Sequence, residues 1–151
     1  MPVFGVEHVI EDYLKMSFDI IASCKCGLLQ FEARENAILQ ICCHCSDCRE
    51  ATGDPFSTIA FFKTKTTVVT GETRSSYYVA ESGNKTERVR CSQCDSIMFD
   101  KSEGFPGLVG VLTQRIQAPF TTMPNCHVWI KSKLPQTVLP SGIKHYETGI
   151  S

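Results

Sequence analysis

The sequence predicts a mainly β protein in which small antiparallel sheets are pinned by zinc. Three observations carry this expectation. Short β-branched or aromatic runs recur along the chain, turn residues separate them, and seven of the nine cysteines fall in clusters with chelating spacing. With 151 residues and 42% hydrophobic content, the chain can bury one ordinary core.

The elements follow in order. Val6, Val9, Ile10, Tyr13 and Leu14 recur at helical spacing, and Glu7, Glu11, Asp12 and Lys15 lie largely off that stripe. A short N-terminal helix is therefore expected within an extension over 1–19, with a docking role and no part in chemistry. One domain is expected over 20–147. LLQFEA alternates, with Leu29, Phe31 and Ala33 on one side and Gln30 and Glu32 on the other. AILQICC, STIAFF, TTVVTG, SSYYVA, ERVRC, SIMFD, GLVGVL and HVWI read as further strands, with Trp129 in the core. Gly53-Asp54-Pro55, Gly71-Glu72, Ser82-Gly83-Asn84, Gly104 to Gly107 and Pro140 to Gly142 supply the turns. One interior helical turn is expected near Ser46, which would cap it.

Composition narrows the function. The formal net charge is -1, so no basic surplus exists to neutralise phosphates, and nucleic acid is not an expected partner. No run of 18 apolar residues predicts a membrane span. The start lacks a basic region followed by an apolar stretch, so a cytoplasmic location is expected. No Ser-His-Asp set, carboxylate pair or phosphate-cradling loop stands out.

The cysteines carry the chemistry. An odd count held in short clusters favours metal over disulfides. Cys24 and Cys26 with Cys91 and Cys94 make two chelating pairs, enough for a closed four-thiolate zinc, which is a structural site. Cys43, Cys45 and Cys48 supply three ligands from one segment and leave a fourth position for water or substrate, the pattern of a reactive zinc. Two Zn²⁺ per chain are expected. His44 or His127 could instead close the second set, although His44 would point to the opposite face of an extended segment. Cys42 and Cys126 are expected to be buried thiols.

SCKCGLLQFEA, CHCSDCREATGDPF, RVRCSQCDSIMF and HVWIKSKLP together resemble the glutathione-dependent formaldehyde-activating enzyme family, which also includes centromere protein V. The resemblance covers roughly residues 20 to 135. It implies a β-tent fold, structural zinc on Cys24, Cys26, Cys91 and Cys94, and catalytic zinc on Cys43, Cys45 and Cys48. It also implies a carbon–sulfur lyase that forms or cleaves an adduct between glutathione, or a similar small thiol, and formaldehyde or a similar small aldehyde; a non-catalytic zinc-binding interaction module or a zinc- or redox-sensing protein is the alternative. Ser92 and Asp95 stand where the family's late knuckle has glycines, and aspartate tolerates the left-handed backbone required there. Arg49, Thr52, Asp54, Asn125 and His127 are candidate groups to orient substrate, with Arg49 placed to meet a glutathione carboxylate. Asp54 reads first as a turn residue at Gly53-Asp54-Pro55, whereas Arg49 reads equally as a surface arginine or a partner for Asp47.

Overall fold

Alternation along the strands decides how this chain folds, because it gives one sheet two apolar faces. The computed structural model describes residues 20–150; the helix expected within 1–19 lies outside them. In chain order the strands are β1 (Ile20–Ser23), β2 (Gln30–Ala33), β3 (Leu39–Cys43), β4 (Ser57–Lys63), β5 (Thr67–Thr70), β6 (Thr73–Val79), β7 (Lys85–Cys91), β8 (Ile97–Ser102), β9 (Leu108–Leu112), β10 (Cys126–Val128) and β11 (Lys144–His145). Helix α1 (Ser46–Thr52) follows β3.

The mainly β expectation holds. A three-stranded antiparallel sheet runs β1-β2-β5, and a second sheet runs β11-β10-β3-β4-β9-β8-β7-β6. The second is antiparallel from β3 to β6, but β10 pairs in parallel with both β3 and β11. Among the described residues no helix is long and apolar enough to cross a membrane.

Strand β4 shows how one strand serves two layers. Ala60 and Phe62 point to the layer between the sheets, where they meet Ala22, Leu29 and Phe31 from the small sheet. Ile59 and Phe61 point to the other side, into a second apolar cluster with Ile41, Leu112 and Val128. Successive side chains of a strand face opposite ways, so STIAFF fills both layers. Strand β9 repeats the pattern, with Val109 and Val111 inward and Leu112 outward. Gly110 lies between them on the outer face. A Cβ there would sit 2.9 Å from both Ile59 and Phe61, so only glycine lets these side chains close in.

Phe31 is the centre of the inner layer. It is fully buried, with ring centroids 5.4 Å from Phe62 and 6.1 Å from Phe99. Both distances fall in the favourable aromatic range. Phe31→Ala is expected to destabilise the protein by about 3–5 kcal/mol in urea unfolding. A loss below about 1 kcal/mol would show that the small sheet is not held by this layer.

Candidate metal centres and the cavity beside them

The first thiol set joins the two sheets. Cys24 follows β1 in the small sheet, and Cys91 ends β7 in the large one. With Cys26 and Cys94 they bring four sulfurs within 4.8 Å of one another. Cys26 Sγ lies 3.5 Å from Cys24 Sγ and 3.7 Å from Cys91 Sγ. A tetrahedral zinc with sulfurs at 2.3 Å needs them roughly 3.8 Å apart, so these residues fit such an ion. Two tight turns aim the sulfurs. In the first, Gly27 N donates to Cys24 O and Leu29 N donates to Cys24 Sγ at 3.3 Å. In the second, Asp95 N donates to Cys91 O, with Asp95 at φ 63°. Aspartate therefore occupies the left-handed position expected of glycine, and Arg74 pairs with its carboxylate.

The second set forms because β3 and α1 meet at an angle. Leu39, Ile41 and Cys43 share the outer face of β3, so Cys43 points away from the inner core. Cys42 points the opposite way and lies 3.6 Å from Thr58 Oγ1, apart from the other thiols. Cys45 sits at the N-cap of α1 and accepts from Cys48 N at 3.4 Å. The sequence assigned that cap to Ser46. The sulfur takes it instead, and Ser46 turns to Glu81, with Oγ 3.4 Å from the carboxylate. One helical turn then brings Cys48 back to Cys43 and Cys45, and all three are buried.

The electrostatics of this set call for a cation. Cys43 and Cys48 donate to the Cys45 sulfur, and the backbone N–H groups of Cys48 and Asp47 also point at it, holding Cys45 far below the ordinary thiol range. The Cys45 sulfur in turn pushes Cys43 up, and Cys43 and Cys45 together push Cys48 up. These mutual effects favour a thiolate at Cys45 over one at either neighbour. A divalent cation lets all three ionise, and an all-sulfur set suits zinc.

The histidines stand behind this set. His44 is fully buried on the face away from the sulfurs, with Nε2 2.8 Å from His127 Nδ1. Burial, followed by the nearby positive groups His127, Lys133, Arg49 and His145, presses His44 down to about 4. Burial and then His145 lower His127 as well. Both shifts favour the uncharged imidazole, in which one ring donates to the other across the joint between β3 and β10. Among the described residues neither imidazole joins the three thiols.

A cavity of about 210 Å³ opens beside Cys43, Cys45 and Cys48. Ile41, Ile59, Phe61, Phe105, Val128 and Trp129 give it apolar walls, while Asp47, Tyr78, Glu81 and Asp100 add polar groups. Phe61 stacks on Phe105 with centroids 4.5 Å apart. Trp129 is only half-buried and is not a strand residue. β10 ends at Val128, and Trp129 adopts φ 59° at the start of a short turn, where it packs beside the chain end at Gly149 and Ile150. Trp129 lies just beyond the strand, because β10 ends at Val128, but it still packs against the cluster of Ile41, Ile59 and Phe61.

The five polar residues expected to orient substrate do not line this cavity. Arg49 Nη1 donates to the carbonyls of His44, at 2.7 Å, and of Ser132, tying α1 to the turn after β10. His127 is occupied by His44. Thr52 Oγ1 donates to Cys48 O, Asp54 N donates to Thr52 Oγ1, and Asn125 Oδ1 accepts from Gln40 N. The sequence reading missed Asp47, Tyr78, Glu81 and Asp100. One signal was present for Tyr78: in SSYYVA two adjacent tyrosines must face opposite sides.

Such a fold, with two thiol sets able to hold metal ions and a cavity against one of them, is that of a small β protein equipped to bind metal. The family model described as glutathione-dependent formaldehyde-activating enzyme matches residues 19–132, and the chain belongs to that family. No curated protein matches the chain. A crystal structure of a Rhodobacter sphaeroides protein, a structural-genomics target, is similar in fold, with a TM-score of 0.50 and 17% identity. The match covers 83% of this chain and 98% of that one.

Thiol reactivity tests these electrostatics. Burial raises Cys42 and Cys126, whereas Cys94 is lowered, chiefly by the Ser96 hydroxyl. A lowered thiol keeps more thiolate as pH falls, and a raised one keeps less. In metal-stripped protein at about pH 6.5, iodoacetamide is therefore expected to modify Cys45 and Cys94 before Cys42 and Cys126. Peptide mass spectrometry after brief labelling reads the order, and equal labelling of all four contradicts the assignment.

Proposed function

We propose that this protein is a zinc-dependent carbon–sulfur lyase that forms and cleaves the adduct between a small thiol, glutathione or a close analogue, and formaldehyde or a similar small aldehyde. The observation that carries the reading is the difference between the two thiol sets. One is completed by a fourth sulfur. The other has three sulfurs and faces a cavity where a fourth ligand would enter. On this reading Cys24, Cys26, Cys91 and Cys94 hold the structural ion, and Cys43, Cys45 and Cys48 hold the catalytic one. Zinc bound to the three thiolates supplies a soft, electron-rich centre that lowers the pKa of an incoming thiol.

The chain's own residues do the rest. A cavity of about 210 Å³ is smaller than the roughly 300–1,000 Å³ typical of larger ligands. It therefore takes the reactive end of a thiol and a small aldehyde, and leaves the body of a tripeptide at the mouth. The apolar walls, Phe61, Phe105 and Trp129 above all, exclude water, which protects a carbonyl that hydrates readily and strengthens the electrostatics within. Asp47 and Glu81 place negative charge at one side of the cavity, and Asp47 Oδ2 accepts from Glu81 N at 3.0 Å, which fixes their relation. That charge suits the ammonium group of glutathione better than its carboxylates.

Exchange between free formaldehyde and its glutathione adduct, followed by NMR, tests the proposal. The wild type is expected to accelerate exchange over a protein-free control, and Cys48→Ser to return it to the control rate while keeping its β circular dichroism. A wild type no faster than the control contradicts the lyase reading and leaves a metal-binding module without this activity.

A further inference from the structure

We propose that the Tyr78 hydroxyl is a catalytic proton donor, giving its proton to the aldehyde oxygen as the carbon–sulfur bond forms, and that Arg88 and Asp100 position it. This rests on the lyase reading above and adds to it a second reacting group, supplied from strand β6.

The placement begins with strand parity. In β6, Tyr77 and Val79 are 75% and 64% exposed, so their faces point outward. Tyr78 between them turns inward and lines the same cavity as Cys43, Cys45 and Cys48. Two neighbouring strands then fix its hydroxyl. Arg88 in β7 lies two residues along from Thr86, the residue opposite Tyr78, and Asp100 in β8 lies directly opposite Arg88. Arg88 Nε and Nη2 donate to the two Asp100 oxygens at 3.2 and 3.1 Å, a fork that holds the guanidinium rigid. From there Nη2 also donates to Tyr78 Oη at 2.7 Å, and the guanidinium carbon lies 4.8 Å from the ring centroid.

This arrangement has a chemical direction. The phenol oxygen accepts from a cation, so the proton it carries is polarised for donation. Among the described residues no hydrogen bond takes that proton to an acceptor, and Tyr78 lines the cavity. Burial, followed by the Asp100 charge, keeps the phenol above its ordinary range, so it is neutral and protonated at physiological pH. In that state the hydroxyl holds a proton it can give, and the phenolate left behind is the base that the reverse direction uses. Arg88 is itself buried, and Asp100 already balances its charge, so the ion pair does not need the phenol to be stable.

The step balances. The thiolate lone pair forms the C–S bond, and the C=O π pair moves onto oxygen. That oxygen takes the Tyr78 proton and becomes the hydroxyl of a hydroxymethyl thioether. The thiol gives its proton to water as it ionises, and the phenolate, held by Arg88, takes one back from water afterwards. Nothing is oxidised or reduced, and cleavage runs the same sequence backwards.

Tyr78→Phe removes only the hydroxyl. Its kcat for adduct exchange is expected to fall about 10²-fold with bound metal unchanged, while KM for the hydroxyl-bearing adduct rises by no more than about tenfold. Asp100→Asn is expected to lower kcat less, and the double variant to be no slower than Tyr78→Phe alone, since both act through one hydroxyl. A measurement on the wild type needs no variant and no turnover: calorimetric affinity for the S-(2-hydroxyethyl) thioether of glutathione against its S-ethyl analogue. The hydroxyl-bearing ligand is expected to bind about tenfold more tightly, as one hydrogen bond from a polarised donor allows. An active Tyr78→Phe enzyme with undiminished kcat, or equal affinity of the wild type for the two thioethers, overturns the role of Tyr78 and spares the lyase reading. A wild type that neither accelerates exchange nor binds either thioether overturns both.

Discussion

Convergent sulfur is the constraint around which this structure is arranged. Cys24 and Cys91 are 67 positions apart in the sequence, yet their sulfurs and those of Cys26 and Cys94 meet within 4.8 Å at the corner of two sheets. Thiols so close cannot all ionise alone, because each new negative charge opposes the next. A cation held there would resolve that conflict and make the corner a fastening rather than a repulsion. The small sheet depends on such a corner. Three strands of four residues each bury little surface by themselves, so Phe31 and its neighbours need the large sheet beneath them.

The same sheet carries the second sulfur set on its other face, and strand parity keeps the two regions separate. In β4, Phe62 belongs to the layer between the sheets and Phe61 to the cavity side. In β3, Cys43 faces the cavity and Cys42 does not. Gly110 permits the close approach of Ile59 and Phe61 that shapes the cavity floor. The reactive end proposed here is therefore backed by a sheet that packs on both sides. Such backing holds a site to the fraction of an ångström that chemistry requires.

Much of this was legible in the sequence, for physical reasons. The strands were visible because β-branched and aromatic residues cluster in them and turn residues end them. The two sulfur sets were visible because chelating pairs are close in sequence as well as in space. The family was legible through the same motifs, and the match over residues 19–132 agrees with them. What escaped was assembled from distant parts. Asp47, Tyr78, Glu81 and Asp100 come from α1, β6, the turn after β6 and β8, and no local pattern joins them. Arg49 looked free beside the last cysteine, but the folded chain brings the Ser132 carbonyl to it. Trp129 looked like strand because HVWI is apolar, and only the abrupt end of β10 turns it toward the cavity.

The central claim is that the two sulfur sets differ in kind, one closed by protein and one open to a ligand. Cobalt(II) substitution tests this most directly, because its absorption bands report thiolate number and the exchange of a single ligand. The account predicts two cobalt ions per chain, both in tetrahedral sulfur-rich sites, with glutathione shifting the bands of one ion and leaving the other unchanged. It is contradicted by a single cobalt ion per chain, or by two whose spectra both ignore added thiol.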